Sequence, residues 1–229
     1  MPRELQPAEL VDIDQHWPVV SHQVLGRGSK HTFVSDTVFT PGGATMQREY
    51  ILHPGAVGII AWDDRDRIAV VLQYRHPVAQ RLVEPPAGLL DQPGEHYLIG
   101  AQRELAEEVG LQASDWRVLV DLLTSPGASQ ESVRILLARG LTQAEAPADF
   151  VASGEEAEME FAWAQRADLV AAILAGRVQN PLLVAGVLAL ETARLTDGVD
   201  HLRAVEAPWP VRATRDTQNQ ALADVDGAR

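Results

Sequence analysis

The stretch EPPAGLLDQPGEHYLIGAQRELAEEVGL, residues 84–111, joins two glycine-containing turns to a segment rich in acidic residues. Within it, Glu104, Glu107 and Glu108 lie within five consecutive positions. Carboxylates this close to one another repel, so a positive charge is needed beside them. We therefore expect this segment to gather a cation.

Residues 96–109 have the periodicity of an amphipathic helix that would present these acids together. At about 100° per residue, Glu108 and Glu107 lie about 40° and about 60° to either side of Glu104, next to an apolar stripe. Gly110 is suited to end the helix in a left-handed cap. Acids in the last two turns oppose the helix dipole, which is unfavourable unless a cation binds there. A solvated acidic face is the alternative, but oxygen ligands without cysteine favour a hard cation such as Mg²⁺ or Mn²⁺.

The composition excludes several classes of protein. The chain has 229 residues, of which 46% are hydrophobic, enough for one large domain or for a domain with an additional element. The formal net charge of −13 argues against a nucleic-acid partner, and without cysteine there is no disulfide, thiolate metal site or cysteine nucleophile. The longest apolar runs are too short to cross a bilayer, and the N-terminal residues lack the features of a signal peptide. We expect a cytoplasmic protein with no membrane partner.

Alternation of apolar and polar residues predicts a β-rich N-terminal part. Residues 16–40 contain two β-rich runs around GRGSK and predict a hairpin, and the turn PGGA (41–44) is a candidate domain boundary. Further strands are predicted at 46–53, 55–62, 67–75, 116–123, 132–141 and 159–164, helices at 166–176 and 180–195, and a long acidic loop at 142–158. The predicted domains are a flexible leader (1–15), an N-terminal β extension (16–44), a main domain (45–205) and a flexible tail (206–229).

The spacing of the acidic segment resembles a known family signature. From Gly88 to Leu111 it is similar to the Nudix box, G-x5-E-x7-R-E-U-x-E-E-x-G-U, where U is an aliphatic residue. Every fixed residue from Glu95 onward is matched, including the seven-residue gap between Glu95 and Arg103. Six residues instead of five separate Gly88 from Glu95, an insertion in the loop before the helix. The resemblance implies an α+β fold, the Nudix α/β/α sandwich, here with an N-terminal antiparallel β extension.

The resemblance to Nudix hydrolases also implies a metal site. In this family the box forms a loop–helix–loop that holds divalent cations against a diphosphate. By this likeness Glu104 and Glu108 are the primary metal ligands, Glu107 is a further ligand, directly or through water, and the carbonyl of Ala87 completes one site. The residues expected to orient the loop and helix are Gly88, Glu95 and Arg103. The expected cofactor is Mg²⁺, with Mn²⁺ as a substitute.

Three further features resemble the bacterial ADP-ribose pyrophosphatases within this family. Pro126 lies sixteen residues after Gly110, EPPAGLLD is similar to E-x-PAG-x-x-D, and the length with a β-rich extension is similar to their two-part subunit. The likeness covers residues 17–200. It implies hydrolysis of ADP-ribose to AMP and ribose 5-phosphate by a homodimer whose N-terminal strands cross to the other subunit.

The same resemblance implies roles in substrate binding and catalysis. Arg75 matches an arginine that contacts the diphosphate, Arg48 one near the adenine or its ribose, and Glu131 an acid near the terminal ribose. Glu84 is either a substrate contact or a charge at a strand end. The general base is expected from the loop after the box: Glu156 first, Glu155 second, with Glu158 also available and Glu107 next if the loop does not supply it.

One position departs from the family pattern. An aromatic residue often follows PG in these enzymes, and this chain has Ala128 there. The change would loosen the contact with the terminal ribose or mark a different sugar. The alternatives are therefore a pyrophosphatase acting on another nucleoside diphosphate sugar, such as ADP-glucose or GDP-mannose, and a non-catalytic Nudix-like ligand-binding module. Such modules normally lose box carboxylates, which this chain keeps.

Overall fold

The computed structural model describes residues 2–92, 94–144 and 158–215. The chain forms two compact units. The first consists of Met1–Leu52 together with Trp209–Arg229, and the second of His53–Pro208. The leader at 2–15 is exposed and contains one short 3-10 turn, Pro7–Glu9.

The N-terminal unit contains an antiparallel sheet of three strands in the order β1-β2-β3. The strands are β1 (Val19–Arg27), β2 (Thr32–Phe39) and β3 (Thr45–Leu52). The predicted hairpin is confirmed by the pairing of β1 with β2. The turn at 41–44, with Gly43 at a φ of 85°, joins β2 to β3 as a second hairpin. The predicted boundary at 45 therefore differs from the structural one at Leu52, because this turn connects two paired strands and is not a linker.

The two faces of this sheet carry different side-chain clusters. On one face, His22 Nδ1 lies 2.6 Å from Asp36 Oδ1, and the Tyr50 hydroxyl donates to Asp36 Oδ2 at 2.8 Å. Burial, and then the neighbouring Asp36, raise the pKa of Tyr50. On the other face Phe33 pairs directly with Ile51, and the two side chains are 42% and 38% exposed. The sheet thus buries a polar cluster on one face and exposes an apolar pair on the other.

The second unit contains two sheets. A three-stranded antiparallel sheet has the order β10-β5-β6, and a five-stranded sheet has the order β11-β8-β9-β4-β7. In the latter β4 and β9 are parallel and the other neighbours are antiparallel. The strands are β4 (Ala56–Ala61), β5 (Arg67–Arg75), β6 (Gln80–Glu84), β7 (Ala87–Leu89), β8 (Leu111–Leu123), β9 (Ser132–Gln143), β10 (Glu160–Gln165) and β11 (Arg203–Ala204).

Three helices pack on these sheets: α1 (Tyr97–Val109), α2 (Arg166–Leu174) and α3 (Pro181–Leu195). Helix α1 contacts β4, β7 and β8, and α3 contacts α2, β4, β8 and β9. Two predicted caps are confirmed: Gly110 ends α1 at a φ of 63°, and the Asn180 side chain accepts from the amides of Leu182 and Leu183 at the start of α3. Helix α2 ends at Leu174, two residues before the predicted end at Gly176. Branched aliphatic side chains fill the core, among them Ile60, Ile135, Leu137, Leu183, Val187 and Leu190. The α+β class is confirmed.

Several segments differ from their predictions. Strands β6, β7 and β11 were not predicted, because short strands have too few residues to display a period of two. The segment from 206, predicted as a flexible tail, is instead packed up to 215: Arg134 donates to the carbonyls of Ala207 and Pro208 at 2.8 and 2.9 Å, and Trp209 is buried. Residues 145–157, for which the sequence predicts an acidic loop, lie outside the described residues. Across the described ranges, no helix has the length and apolar character needed to cross a membrane.

Candidate active site

Arg103 is the cation at the centre of the acidic segment. Its Nη1 group donates to Glu104 Oε1 at 2.7 Å and to Glu107 Oε2 at 2.9 Å. Its other edge donates from Nε and Nη2 to the two oxygens of Glu95, at 3.1 and 3.3 Å. The hydrogen bonds to Glu95 and the adjacent Glu104 and Glu107 raise the pKa of the Arg103 guanidinium. One side chain therefore links the loop before α1 to two of the three box acids on it.

Glu108 and Gly88 mark where the chain segment before α1 packs against this helix. The backbone amide of Ala87 donates to Glu108 Oε2 at 3.0 Å. Gly88 lies so close to Glu104 that a Cβ atom there would be 2.1 Å from Glu104 Oε1. The structure thus places Ala87, Gly88 and the box acids together, as the resemblance implied; their roles remain predictions.

The candidate metal ligands are of a chemical type that suits a hard divalent cation. All the candidate ligands are carboxylate or carbonyl oxygens, the type that Mg²⁺ and Mn²⁺ prefer. Within 2–92, 94–144 and 158–215, no three acidic or histidine side chains are grouped so as to hold a metal ion as they stand. The reason is visible in the contacts above, since Glu104 and Glu107 turn to Arg103 while Glu108 binds the Ala87 amide.

Glu84 and Arg75 form a close ion pair between β6 and β5 of the β10-β5-β6 sheet. Arg75 donates from Nε to Glu84 Oε1 at 3.0 Å and from Nη2 to Glu84 Oε2 at 2.7 Å. Gln73 also donates to Glu84 Oε2, at 3.1 Å. Glu84 is buried and accepts from two protein side chains, which does not favour direct contact with a substrate. A charge at a strand end, the other role considered for Glu84, agrees with this position.

Glu131 lies in a small polar group at the start of β9. The Thr124 hydroxyl donates to Glu131 Oε2, and His53 Nε2 lies 3.5 Å from Glu131 Oε1. The Gly55 amide donates to His53 Nδ1 at 3.0 Å, which makes Nδ1 the acceptor and leaves the proton of a neutral ring on Nε2. His53 was missed from the sequence; its only signal was its position just before a buried strand.

The remaining predicted residues are spread over the chain. Arg48 lies on β3 in the N-terminal unit, where its guanidinium donates to the Gln47 carbonyl at 2.8 Å. Ala128 lies in the exposed turn after Pro126. Glu158 is exposed, and Glu155 and Glu156 lie outside the described residues. The structure therefore brings together the box residues. The roles expected for Arg48 and for Glu155, Glu156 and Glu158 remain predictions.

A further residue that sequence reasoning missed is Gly100, inside α1. A Cβ atom there would lie 2.9 Å from Glu95 Oε2, so the missing side chain leaves room for the carboxylate that holds Arg103. The signal was available, because glycine costs about 1 kcal/mol relative to alanine inside a helix and its presence suggests a close approach.

The matches to known proteins agree with this geometry. The sequence profile of the NUDIX domain matches residues 52–183, and the chain belongs to this family. It is 43% identical over 201 residues to an ADP-ribose pyrophosphatase of Mycobacterium tuberculosis, covering 88% of this chain and 95% of that protein. It is 41% identical over 110 residues to a methanol dehydrogenase activator of Bacillus methanolicus, covering 48% of this chain and 59% of that protein.

A solved structure, described as an ADP compounds hydrolase, has the same fold with a TM-score of 0.67. It is 21% identical and covers 82% of this chain and 100% of its own, so the likeness concerns the fold alone. The Nudix sandwich expected from the box is confirmed, and so is the class, a Nudix hydrolase.

Proposed function

We propose that this protein hydrolyses the diphosphate bond of ADP-ribose, releasing AMP and ribose 5-phosphate. The observation that carries the proposal is the complete set of box acids, held against the Ala87–Gly88 loop and joined through Arg103 to Glu95. The 43% identity to a protein named for this activity, over 95% of that protein's length, supports the substrate. Water adds to one phosphorus, and the bridging oxygen leaves with the other phosphate.

Nudix hydrolases generally need a divalent metal. For this chain we propose Mg²⁺, with Mn²⁺ as a substitute, held by Glu104, Glu108 and the Ala87 carbonyl, with Glu107 as a further ligand. Such an ion neutralises phosphate charge and lowers the pKa of a bound water. Arg103 and Glu95 orient the acids, and Gly88 provides the space that the Glu104 carboxylate occupies.

In this proposal the chain's own side chains bind the diphosphate and the two ends of the substrate. Arg75 binds the diphosphate, Arg48 the adenosine part, and Glu131 accepts from the hydroxyls of the terminal ribose. The general base is Glu156, with Glu155 as the second choice and Glu107 as the candidate if neither serves. A base outside the metal ligands keeps its basicity, because a bound cation lowers the pKa of a carboxylate.

The active form in this proposal is a homodimer that exchanges N-terminal strands. The exposed pair of Phe33 and Ile51 on the N-terminal sheet supports it, because covering two adjacent exposed apolar side chains removes them from water. A cytoplasmic location, and the absence of nucleic-acid and membrane partners, remain predictions from the composition.

Another nucleoside diphosphate sugar is the second candidate. It is favoured by Ala128, which stands where the related enzymes often have an aromatic residue against the terminal sugar. A non-catalytic binding module is disfavoured, because nothing in such a role requires all three box acids.

The test is turnover on a substrate panel by the purified protein with Mg²⁺. ADP-ribose, ADP-glucose and GDP-mannose are compared by kcat/KM, and the products are identified by chromatography. We expect ADP-ribose to be the best substrate and AMP and ribose 5-phosphate to be its products. A higher kcat/KM for a hexose substrate would favour the second candidate, and no turnover of any of them would favour the binding module.

Glu108→Gln tests the site within the same assay. We expect its kcat to fall by more than about 100-fold, since loss of a residue that merely orients a metal ligand already costs about 10- to 100-fold. The control is Gln102→Ala, an exposed position about 200° around α1 from Glu104, which should keep normal turnover. Normal turnover by Glu108→Gln at saturating Mg²⁺ would contradict the metal assignment.

A further inference from the structure

We propose that Glu84 is a positioning residue, which does not touch the substrate and instead holds the Arg75 guanidinium ready for a diphosphate. The inference rests on the proposed function, in which Arg75 binds the diphosphate. It replaces the substrate-contact role considered for Glu84 with a role exerted through Arg75.

The burial of Glu84 is the first observation. The residue is 2% exposed, whereas the Arg75 side chain is 43% exposed. An anionic diphosphate would also be repelled by a carboxylate. Glu84 is thus both inaccessible and of the wrong charge for a phosphate contact, while Arg75 has the exposure and the charge for it.

The geometry of the pair is the second observation. Glu84 accepts from two nitrogens of one edge of the guanidinium, Nε and Nη2, at 3.0 and 2.7 Å. Such a two-point contact fixes the plane of the group as well as its position. A group held in this way loses less conformational entropy when it binds an anion.

The sheet explains why these side chains meet. Glu84 on β6 pairs with Val71 on β5, so Glu84, Gln73 and Arg75 share one face of the sheet. Arg75 lies four residues beyond Val71 and reaches back along the strand to Glu84. Gln73, between them and itself buried, donates to Glu84 Oε2 at 3.1 Å. Gln73 therefore restrains the carboxylate that restrains Arg75.

The position of Glu84 also connects Arg75 to the box. Two prolines follow it, the carbonyl of Pro86 accepts from the Ile59 amide at 2.8 Å, and the next residue, Ala87, donates to Glu108. The segment that ends in Glu84 thus continues directly into the loop packed on the box acids. A fixed Glu84 sets Arg75 at a defined distance from that loop.

The test is a double-mutant cycle with Glu84→Gln, Arg75→Ala and the double variant. If Glu84 acts through Arg75, removing it matters only while Arg75 is present. We expect Glu84→Gln to raise the KM for ADP-ribose about 10-fold with a smaller change in kcat, as for loss of a charge-assisted hydrogen bond. The double variant should then be no worse than Arg75→Ala alone. Additive losses would overturn the proposal.

A second measurement separates this inference from the proposed function. The affinity for ADP is measured by calorimetry without added metal, and the same cycle is repeated. If the wild-type protein does not hydrolyse ADP-ribose, the proposed function fails, and the ADP cycle still decides the inference. Normal ADP affinity in Arg75→Ala or in Glu84→Gln would overturn the inference even if ADP-ribose is hydrolysed.

Two further variants control for folding and for loss of any ion pair. Gln73→Leu leaves the pair intact and should raise KM in the same direction but less, again only when Arg75 is present. It keeps the inference testable if Glu84→Gln does not fold. Glu160→Gln breaks an exposed pair with Arg81 in the same sheet, where the nitrogen and oxygen lie 2.6 Å apart, and should leave KM unchanged. An equal effect of Glu160→Gln would identify the Glu84 effect as a general disturbance of the sheet.

Discussion

At the scale of single residues, the repulsion among the box acids is relieved in two ways. Arg103 donates to Glu95, Glu104 and Glu107, and the Ala87 amide donates to Glu108. These contacts involve one guanidinium and four carboxylates, so negative charge is in excess among the groups that they join. An excess of carboxylate oxygen is the local condition under which a divalent cation binds well.

Gly88→Ala tests the fit of the loop on the helix. The added methyl group would lie 2.1 Å from Glu104 Oε1, so the carboxylate must move. The backbone of Gly88 is not in the left-handed region, and alanine is therefore tolerated by the chain itself. We expect kcat on ADP-ribose to fall by roughly 10-fold or more, because a residue that positions a metal ligand typically contributes that much. The circular dichroism spectrum should be unchanged.

The control for this substitution is Gly42→Ala, where the nearest atom would be 3.9 Å away. It should keep the wild-type kcat. If Gly88→Ala is equally active, the Glu104 carboxylate is not needed in the position that it has here.

At the scale of secondary-structure elements, an ion pair joins the turn between β4 and β5 to the start of α2. Asp66, at a φ of 59°, accepts from Arg166 Nε and Nη2, both at 2.8 Å, and the Arg166 amide donates to the Asp66 carbonyl at 3.0 Å. The hydrogen bonds from Arg166 lower the pKa of Asp66. The turn therefore anchors a helix 100 residues later in the chain.

Asp66→Asn should destabilise the protein in a pH-dependent way. A carboxyl group whose pKa is lower in the folded state stabilises that state above its unfolded pKa, about 4, and the contribution disappears as the pH falls through the folded value. We expect a loss of about 1 kcal/mol at about pH 7, kept small because Asp66 is partly exposed. The difference between the variant and wild type in urea unfolding should shrink below about pH 4.

Asparagine is suitable here because it tolerates the left-handed backbone conformation. The matched control is Asp64→Asn in the same turn, an exposed residue that should change the unfolding midpoint little at any pH. A difference between Asp66→Asn and wild type that stays constant from about pH 7 to about pH 3 would show that the ionised pair does not stabilise the fold.

At the scale of the whole molecule, the second unit holds its own C-terminal segment through buried charge. Arg134, fully buried, pairs with Asp121 at 2.8 and 3.0 Å and donates to the carbonyls of Ala207 and Pro208. The Tyr97 hydroxyl, on the first residue of α1, donates to the Val205 carbonyl at 2.6 Å. The Tyr97 bond ties this segment to the helix that carries the box, and the Arg134 bonds tie it to strand β9.

The proposed dimer gives a prediction at the same scale. Phe33→Glu places a charge at the exposed apolar pair Phe33–Ile51 of the N-terminal sheet, and a two-fold interface would receive that charge twice. We expect the variant to be monomeric by light scattering and to lose most of its turnover. Leu174→Glu, at a leucine of α2 that is 76% exposed, should remain dimeric and active. A Phe33→Glu variant that is a dimer, or a fully active monomer, would contradict the exchange of N-terminal strands.

Much of this protein could be predicted from short stretches of its sequence. The helix over the box, its cap at Gly110, the cap of α3 at Asn180 and the β1–β2 hairpin all depend on residues a few positions apart, whose periodicity and turn chemistry are visible in the chain. The box spacing indicated the family for the same reason, since its acids share one helix face.

The tertiary structure decided which distant residues meet. The assignment of β3 to the N-terminal sheet, the holding of residues 205–208 by Arg134 and Tyr97, and the pairing of Glu84 with Arg75 depend on the choice of strand partners and their register. Each partner is one of many similar side chains in the sequence, and local patterns do not distinguish among them. Glu84 is the clearest case: its sequence position left open a substrate contact or a charge at a strand end, and only the register of β5 and β6 buries it against Arg75 and Gln73.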